Sequence, residues 1–564
     1  MKFSEYTYVR PEMGKVREDG ARILDTMKAA PDSGTFLEAM ESFIRLRLHV
    51  ETMFTLVSIR QSINTKDEFY DTENGYMDEV QPLFQELITE FYQVILNSEF
   101  AKAIEAKYGR HLLNLAEMSV KTFSPEIIED LQLENKLCTE YGKLVASANI
   151  PFMGEDRNLS GLVPFMEDPD RKVRKSAYEA YSGFFLEKEA EFDRIYDELV
   201  HVRTAMAKKL GYENYVPLGY ARMLRTEYGP EMVAGYRDAI YQHIVPLTTK
   251  LRERQAKRLG LDRLKYYDES VEFPTGNAIP KGSPEWIIEN GKKMYSELSE
   301  ETKEFFNFMV EKDLLDLVTK KGKQAGGYCT YIPEYKSPFI FSNFNGTSGD
   351  IDVLTHEAGH AFQVYQSRGY EVPEYSFPTY EACEIHSMSM EFFTWPWMDL
   401  FFKEDTEKYR FSHLQGTLLF LPYGVSVDEF QHFVYENPEA TPEERKTKWR
   451  EIEKKYLPTK DYEENDLYNR GGFYFKQLHI FVSPFYYIDY TLAQVCALQF
   501  FNRSRKEGKK AWEDYVALCS QGGSKPFLEL VKYANLKSPF EPETIPSVLP
   551  EVEAYLDSVD DTKL

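Results

Sequence analysis

Apolar residues recur at three- and four-residue spacing over most of this chain, and this periodicity restricts the fold to a predominantly helical one. The longest periodic segments are residues 35–63, 76–107 and 125–148. Only residues 328–332 and 338–344 depart clearly from the pattern, because they are rich in aromatic and β-branched residues and are bounded by Gly or Pro, as short strands are. We therefore predict an all-α fold with one small β element.

The remaining periodicity predicts helices throughout the rest of the chain. They are expected at 171–259 with breaks at prolines, 284–320, from about 350, 380–402, 407–437, 442–456 and 484–507. Residues 150–170 are richer in Pro, Gly and Asn, so we expect an N-terminal helical domain over residues 1–165 and a second domain over residues 166–564. Residues 460–472 form a polar connection that could gate a channel.

Composition excludes several classes of protein. Hydrophobic residues make up 43% and charged residues 28% of 564 residues, as in soluble globular proteins. The net charge of −25 repels polyanions, so we expect no nucleic-acid partner. No apolar run reaches membrane-spanning or signal-peptide length, so no membrane association is expected. Five scattered cysteines indicate a reducing compartment, and we predict a cytoplasmic protein.

The pentapeptide from His356 to His360 predicts a metal site. Two histidines four residues apart on a helix differ by about 40° around its axis, so His356 and His360 can reach one ion. Glu357 follows the first histidine and can contact a water on that ion without binding the ion itself. This is the His-Glu-x-x-His arrangement of zinc peptidases, with Glu357 as the candidate general base.

A catalytic zinc site needs a third protein ligand. Gln363 and Gln366 stand where one subclass carries a glycine and a third histidine, so that subclass is excluded. A carboxylate on a later helix is the alternative, and Glu381, Glu384 and Glu391 share one helical face. Helical geometry alone does not choose between Glu381 and Glu384.

The motif with its flanks resembles the thimet-oligopeptidase family, in the oligoendopeptidase F branch that includes Pz-peptidases. The resemblance rests on His356-Glu357-Ala358-Gly359-His360-Ala361-Phe362 followed by Glu384-x₆-Glu391-Phe392. It implies that Glu384 is the third ligand of one Zn²⁺ per chain, and that Glu391 supports the metal-bound histidines. It also implies a helical, two-lobed fold around a deep channel that admits short oligopeptides.

Residues 479–490 are the candidate oxyanion-binding segment. Ser483-Pro484 is the pattern of a helix N-terminus, which would place Tyr486 and Tyr490 on one face of the first turns. The family has a histidine and several tyrosines at the substrate here, which implies this role for His479, Tyr490 and Tyr486. Tyr487 could take the place of Tyr486.

Three further features are candidates for contact with a substrate. The strand at 339–344 could add an extended peptide to its edge. Gly346 lies in the turn that follows this strand. His386 is a substrate contact, a group behind the metal or a histidine of the core.

The favoured hypothesis is a zinc endopeptidase that acts on short oligopeptides. A helical zinc carboxypeptidase uses the same motif and is the first alternative. A catalytically silent peptide-binding protein is the second, although the intact Glu357 weighs against it. The sequence specifies no oligomeric state.

Overall fold

The computed structural model describes residues 1–564, and its N-terminal part is a group of six α-helices. They span Met13–Lys28, Ser33–Ile63, Glu68–Asn97, Ala101–Tyr108, Arg110–Val120 and Ile128–Ala146. The first five contribute to a separate apolar core, whereas the sixth packs into the main core through Leu137 and Tyr141. The side chain of Asp32 caps the second helix by accepting the Thr35 N–H. The helix predicted at 76–107 is wrong in one respect, because Ser98 adopts an extended conformation and divides it into two.

A short hairpin and eight further helices follow. The hairpin pairs Ile150–Phe152 with Glu155–Arg157, and it was not predicted. The helices span Leu159–Met166, Arg171–Glu187, Glu189–Lys209, Tyr215–Arg222, Pro230–His243, Val245–Arg258, Pro284–Leu298 and Glu300–Glu311. The predicted helix at 284–320 ends early, because the chain turns at Asp313, whose φ is +55°, into a strand.

The main sheet has three strands, of which the last in sequence is central. Ser337–Phe344 pairs antiparallel with Tyr328–Ile332 and parallel with Leu315–Val318. The two predicted strands are confirmed, and Leu315–Val318 is additional. The prediction of an open edge at residues 339–344 is wrong, because both edges of that strand are paired.

The C-terminal half consists of helices packed on this sheet and on one another. They span Gly349–Ser367, Tyr380–Phe393, Asp399–Phe402, Thr406–Glu436, Pro442–Tyr456, Asp466–Asn469, Leu478–Val482, Tyr487–Glu507, Lys509–Gln521, Phe527–Tyr533 and Thr544–Ser558. We call Gly349–Ser367 the motif helix, Tyr380–Phe393 the glutamate helix, Thr406–Glu436 the long helix and Tyr487–Glu507 the tyrosine helix. No helix of the structure has the length and apolarity that a membrane span requires.

A cavity of about 1030 Å³ separates the N-terminal helices from the C-terminal half. Tyr92, Leu115 and Tyr141 line one side, and the motif helix and residues 476–490 line the other. Glu374 also lines the cavity, and its carboxylate accepts hydrogen bonds from Arg47 and Tyr92. Two helical bodies around a deep cavity agree with the fold that the resemblance implies.

The polar connection at residues 460–472 lies away from this cavity. No residue between 461 and 475 lines it. Arg470 donates to both carboxylate oxygens of Glu189 at 2.6 and 2.7 Å, and Gly471, at φ +100°, packs against the Lys446 carbonyl. This segment is therefore anchored to the helix Glu189–Lys209, and its position gives no support to a gating role.

Candidate active site

The turn before the motif helix is held by the side chain of Asp350, in the first turn of that helix. Both oxygens of Asp350 accept backbone N–H groups, from Asn345 and from Gly346, at 2.9 Å each. Gly346 supplies the positive φ of +90° that this turn needs. Gly346 lines neither of the two cavities beside the motif helix, and its contact with substrate stays a prediction.

The motif helix and the glutamate helix bring three ligand atoms together. Oε2 of Glu384 lies 3.1 Å from Nε2 of His356 and 3.3 Å from Nε2 of His360. Tetrahedral zinc with bonds of about 2.0–2.2 Å separates two of its ligand atoms by roughly 3.3 Å. The spacing and the N₂O donor set therefore fit a zinc ion.

Glu381 does not join this group. Its Oε1 accepts a hydrogen bond from the Tyr228 hydroxyl at 3.0 Å, and its side chain lies beside the buried Arg225–Asp489 ion pair. The geometry thus places Glu384, and not Glu381, with the two histidines.

Two hydroxyl groups orient the Glu384 carboxylate. Tyr486 donates to Oε1 at 2.5 Å, and Ser387 donates to Oε2 at 2.8 Å. Ser387 was not singled out from the sequence. Its position one helical turn after Glu384 could have indicated a contact with that carboxylate.

Glu357 faces the large cavity with a free oxygen. The residue is 6% exposed, and its Oε2 has no hydrogen-bond partner. Burial raises the pKa of Glu357, while the imidazoles of His356 and His360 oppose that shift. A buried carboxylate with a raised pKa and an unused oxygen has the properties of a general base.

On the same wall of the cavity, His479 and Tyr490 form a hydrogen-bonded pair. Nε2 of His479 lies 3.1 Å from the Tyr490 hydroxyl, and the ring of Tyr490 stacks on Tyr486 with centroids 4.9 Å apart. Gln477, which the sequence did not single out, donates to Nδ1 of His479 at 2.9 Å. Gln477, His479 and Tyr490 line the same cavity as the ligand group.

The helix start predicted at Ser483-Pro484 is wrong. The tyrosine helix begins at Tyr487, because Phe485 adopts φ +68° and interrupts the chain. The Phe485 carbonyl accepts from the buried Arg225 guanidinium at 2.5 Å. Tyr486 and Tyr490 still share one side, but Tyr486 precedes the helix instead of lying in its first turn.

Tyr487 and His386, which the sequence also predicted at the site, do not line the large cavity. Tyr487 lines a second cavity of about 540 Å³ that shares Gln477, His479 and Tyr490 with the first. His386 is 0% exposed, neither ring nitrogen has a partner, and burial lowers its pKa to about 3. His386 lines neither cavity, and its contact with substrate stays a prediction.

A second group of acidic residues is occupied by a lysine. Glu189, Asp193 and Glu443 lie close enough together to bind a cation. The Lys446 ammonium already contacts all three, at 2.5, 2.9 and 2.6 Å. This group is an ion-pair network, and we assign no metal to it.

A helical scaffold with this ligand group, a free glutamate and a deep cavity defines a metallopeptidase of the His-Glu-x-x-His class. Residues 164–545 match the profile of peptidase family M3, and residues 3–123 match the peptidase M3 N-terminal domain. The chain belongs to peptidase family M3. The predicted boundary between residues 165 and 166 stays a prediction.

Individual relatives specify the branch of this family. A structure described as Pz peptidase A with inhibitor 2 is 60% identical over 100% of both chains, with a TM-score of 0.99. A putative oligoendopeptidase F from Bacillus anthracis str. Ames is 58% identical over 100% of this chain and 99% of that one, with a TM-score of 0.95. Oligopeptidase PepF of Bacillus subtilis (strain 168) is 20% identical over 95% of this chain and 82% of that protein. The predicted resemblance is confirmed: the chain is a metallo-oligopeptidase of the oligoendopeptidase F branch.

Proposed function

We propose that this peptidase is a zinc-dependent endopeptidase that hydrolyses internal bonds of short oligopeptides. The carrying observation is the convergence of His356, His360 and Glu384 beside the unpartnered oxygen of Glu357. Membership in family M3 gives the coarser activity, a peptidase acting on oligopeptides.

Nε2 of each histidine and Oε2 of Glu384 would hold one Zn²⁺ per chain. When bound, zinc supplies a Lewis acid that polarises the scissile carbonyl and lowers the pKa of a water molecule. Glu357 accepts a proton from the attacking water and delivers it to the leaving amine nitrogen. Its burial supports this role, because the raised pKa lets one carboxyl group act first as a base and then as an acid.

Tyr490 donates a hydrogen bond to the oxyanion that develops on the substrate. His479 orients the Tyr490 hydroxyl through the hydrogen bond at its Nε2. Tyr486 has a different task from the one that the sequence predicts, because its hydroxyl is already committed to Glu384. It holds the third ligand in place.

The cavity supports a preference for short, unfolded peptides. The ligand group lies on one wall, and helices of the N-terminal part form the opposite wall. An extended peptide fits a space of about 1030 Å³ between two walls, whereas a folded protein does not.

The test combines metal analysis with a peptide blocked at both ends. The purified protein is expected to contain one zinc per chain and to cleave an internal bond of an acetylated, amidated oligopeptide. A carboxypeptidase requires a free C-terminal carboxylate and would leave this peptide intact. Absence of zinc, or failure to cleave the blocked peptide while an unblocked one loses its C-terminal residue, would contradict the proposal.

A further inference from the structure

The carboxylate of Glu391 bridges two histidines from different helices. Oε1 lies 2.7 Å from Nδ1 of His356, and Oε2 lies 2.7 Å from Nε2 of His413. His413 belongs to the long helix, and its side chain is 5% exposed. The resemblance covers Glu391 alone, and nothing in the motif spacing indicates His413.

Trp395 sets the direction of this chain of hydrogen bonds. Its indole Nε1–H lies 3.0 Å from Nδ1 of His413. An indole nitrogen can only donate, so Nδ1 of His413 must accept. The single proton of the neutral His413 ring is therefore on Nε2, from which it is donated to Glu391.

The tautomer of His356 is set in the same way. With Oε2 of Glu391 occupied by His413, Oε1 accepts the Nδ1–H of His356. The Nε2 lone pair of His356 then faces Oε2 of Glu384, on the side where the metal is proposed. A partner on the far nitrogen of a metal-binding histidine fixes its tautomer and ring orientation and raises its affinity for the ion.

We infer that His413 and Trp395 are positioning residues that set the zinc affinity of His356 through Glu391. The inference rests on the proposed zinc site. It differs from a packing role for the two rings, although both also contact Phe392 and Trp395 contacts Phe501 as well. A packing role depends on ring shape, whereas a positioning role depends on the N–H donated to Glu391.

The experiment measures the zinc dissociation constant of metal-free protein by competition with a chromogenic chelator. His413→Leu removes the donor and is expected to weaken zinc binding about 10–100-fold. His413→Gln retains an N–H at a similar position and is expected to stay within about threefold of the wild type. Trp395→Phe keeps an aromatic ring but frees the tautomer of His413, and an intermediate loss is expected. His111→Leu is the matched control, since His111 is 8% exposed and lies outside the ligand group.

Thermal unfolding of each metal-free variant separates lost fold from lost ligand geometry. The inference is overturned if His413→Leu binds zinc as tightly as the wild type, or if His413→Gln is as weak as His413→Leu at an unchanged melting temperature. If His413→Leu does not fold, the comparison of His413→Gln with Trp395→Phe decides, and equal affinities in these two overturn it. A wild-type protein that binds no zinc would instead contradict the proposed function.

Discussion

The side-chain amide of Gln477 donates a hydrogen bond to Nδ1 of His479 across 2.9 Å. The Tyr423 hydroxyl donates to the amide oxygen at 2.8 Å, which holds the amide in this orientation. Burial lowers the pKa of His479 to about 4, so its ring is neutral at pH 7 and carries its proton on Nε2. That N–H is donated to the Tyr490 oxygen, and the proton of Tyr490 remains free to point into the cavity.

Tyr490→Phe is therefore expected to lower kcat by about 10²–10³-fold, because it removes one oxyanion donor. KM and zinc content should change little, since the hydroxyl acts on charge that exists only in the transition state. Steady-state kinetics on a blocked peptide provide the measurement. Tyr295→Phe is the control, because the buried Tyr295 hydroxyl has no hydrogen-bond partner. A kcat for Tyr490→Phe within threefold of the wild type would remove this residue from the mechanism.

Gln477→Leu tests the orientation of that donor. Without the amide, the His479 ring can carry its proton on either nitrogen, and in one tautomer it accepts the Tyr490 proton. We expect a lower kcat, with a smaller loss than in Tyr490→Phe and no change in zinc content. In the double variant the two effects should not add, because Gln477 acts only through Tyr490. Additive losses would mean that Gln477 has a separate role.

The two candidate third ligands can be distinguished by isosteric changes. Glu384→Gln removes a charged ligand atom and should weaken zinc binding by more than the roughly 10–100-fold typical of residues behind the ligands. Glu381→Gln should keep zinc and change mainly stability, because Glu381 contacts Tyr228 and lies beside the Arg225–Asp489 pair. Chelator competition and thermal unfolding on both variants give the comparison. Loss of zinc from Glu381→Gln alone would reverse the assignment.

Local patterns in the sequence predicted the parts of the site that lie on one helix. His356, Glu357 and His360 follow from helical spacing, and the resemblance selected Glu384 in agreement with the geometry. His413 was missed because it reaches Glu391 from another helix, and spacing along the chain does not encode such a contact. The place of His386 between Glu384 and Glu391 suggested a functional role, but the structure buries its ring completely, and its contact with substrate stays a prediction.

For the fold, too, local patterns were predicted and contacts between distant segments were not. Strong periodicity located helices such as Pro442–Tyr456 to the residue, with the Thr441 capping box at its start. The strand Leu315–Val318 was missed, since four residues carry little periodicity and this strand exists only through pairing with Ser337–Phe344. Phe485 likewise needs Arg225 and Gln431 to hold its positive φ, so tertiary contacts overrode the Ser-Pro signal.

His111 makes stability depend on pH. Burial, with a smaller contribution from Lys525, lowers the pKa of His111 from 6.5 to about 4. The unfolded chain therefore binds a proton that the folded protein does not, and stability falls as pH falls from about 6.5 toward about 4. At about 1.4 kcal/mol per pH unit, the wild type should lose about 2 kcal/mol more than His111→Gln between pH 7 and pH 5. Urea unfolding at the two pH values measures this difference, and equal losses in both proteins would contradict it.

Gly359, inside the histidine motif, sets how closely the motif helix approaches the glutamate helix. A Cβ at this position would lie 2.6 Å from both the His386 carbonyl oxygen and the Ser387 Cα. Alanine is favoured over glycine in a helix by about 1 kcal/mol, but overpacking against backbone costs about 1–3 kcal/mol, and here backbone atoms cannot rotate away. Gly359→Ala should therefore destabilise the protein and, by separating the helices that carry His360 and Glu384, weaken zinc binding. Gly183→Ala is the control, since a Cβ there meets no atom within 4 Å. Thermal unfolding and chelator competition on both variants test the prediction, and a Gly359→Ala protein that is more stable with unchanged zinc affinity would show that the helices can separate without cost.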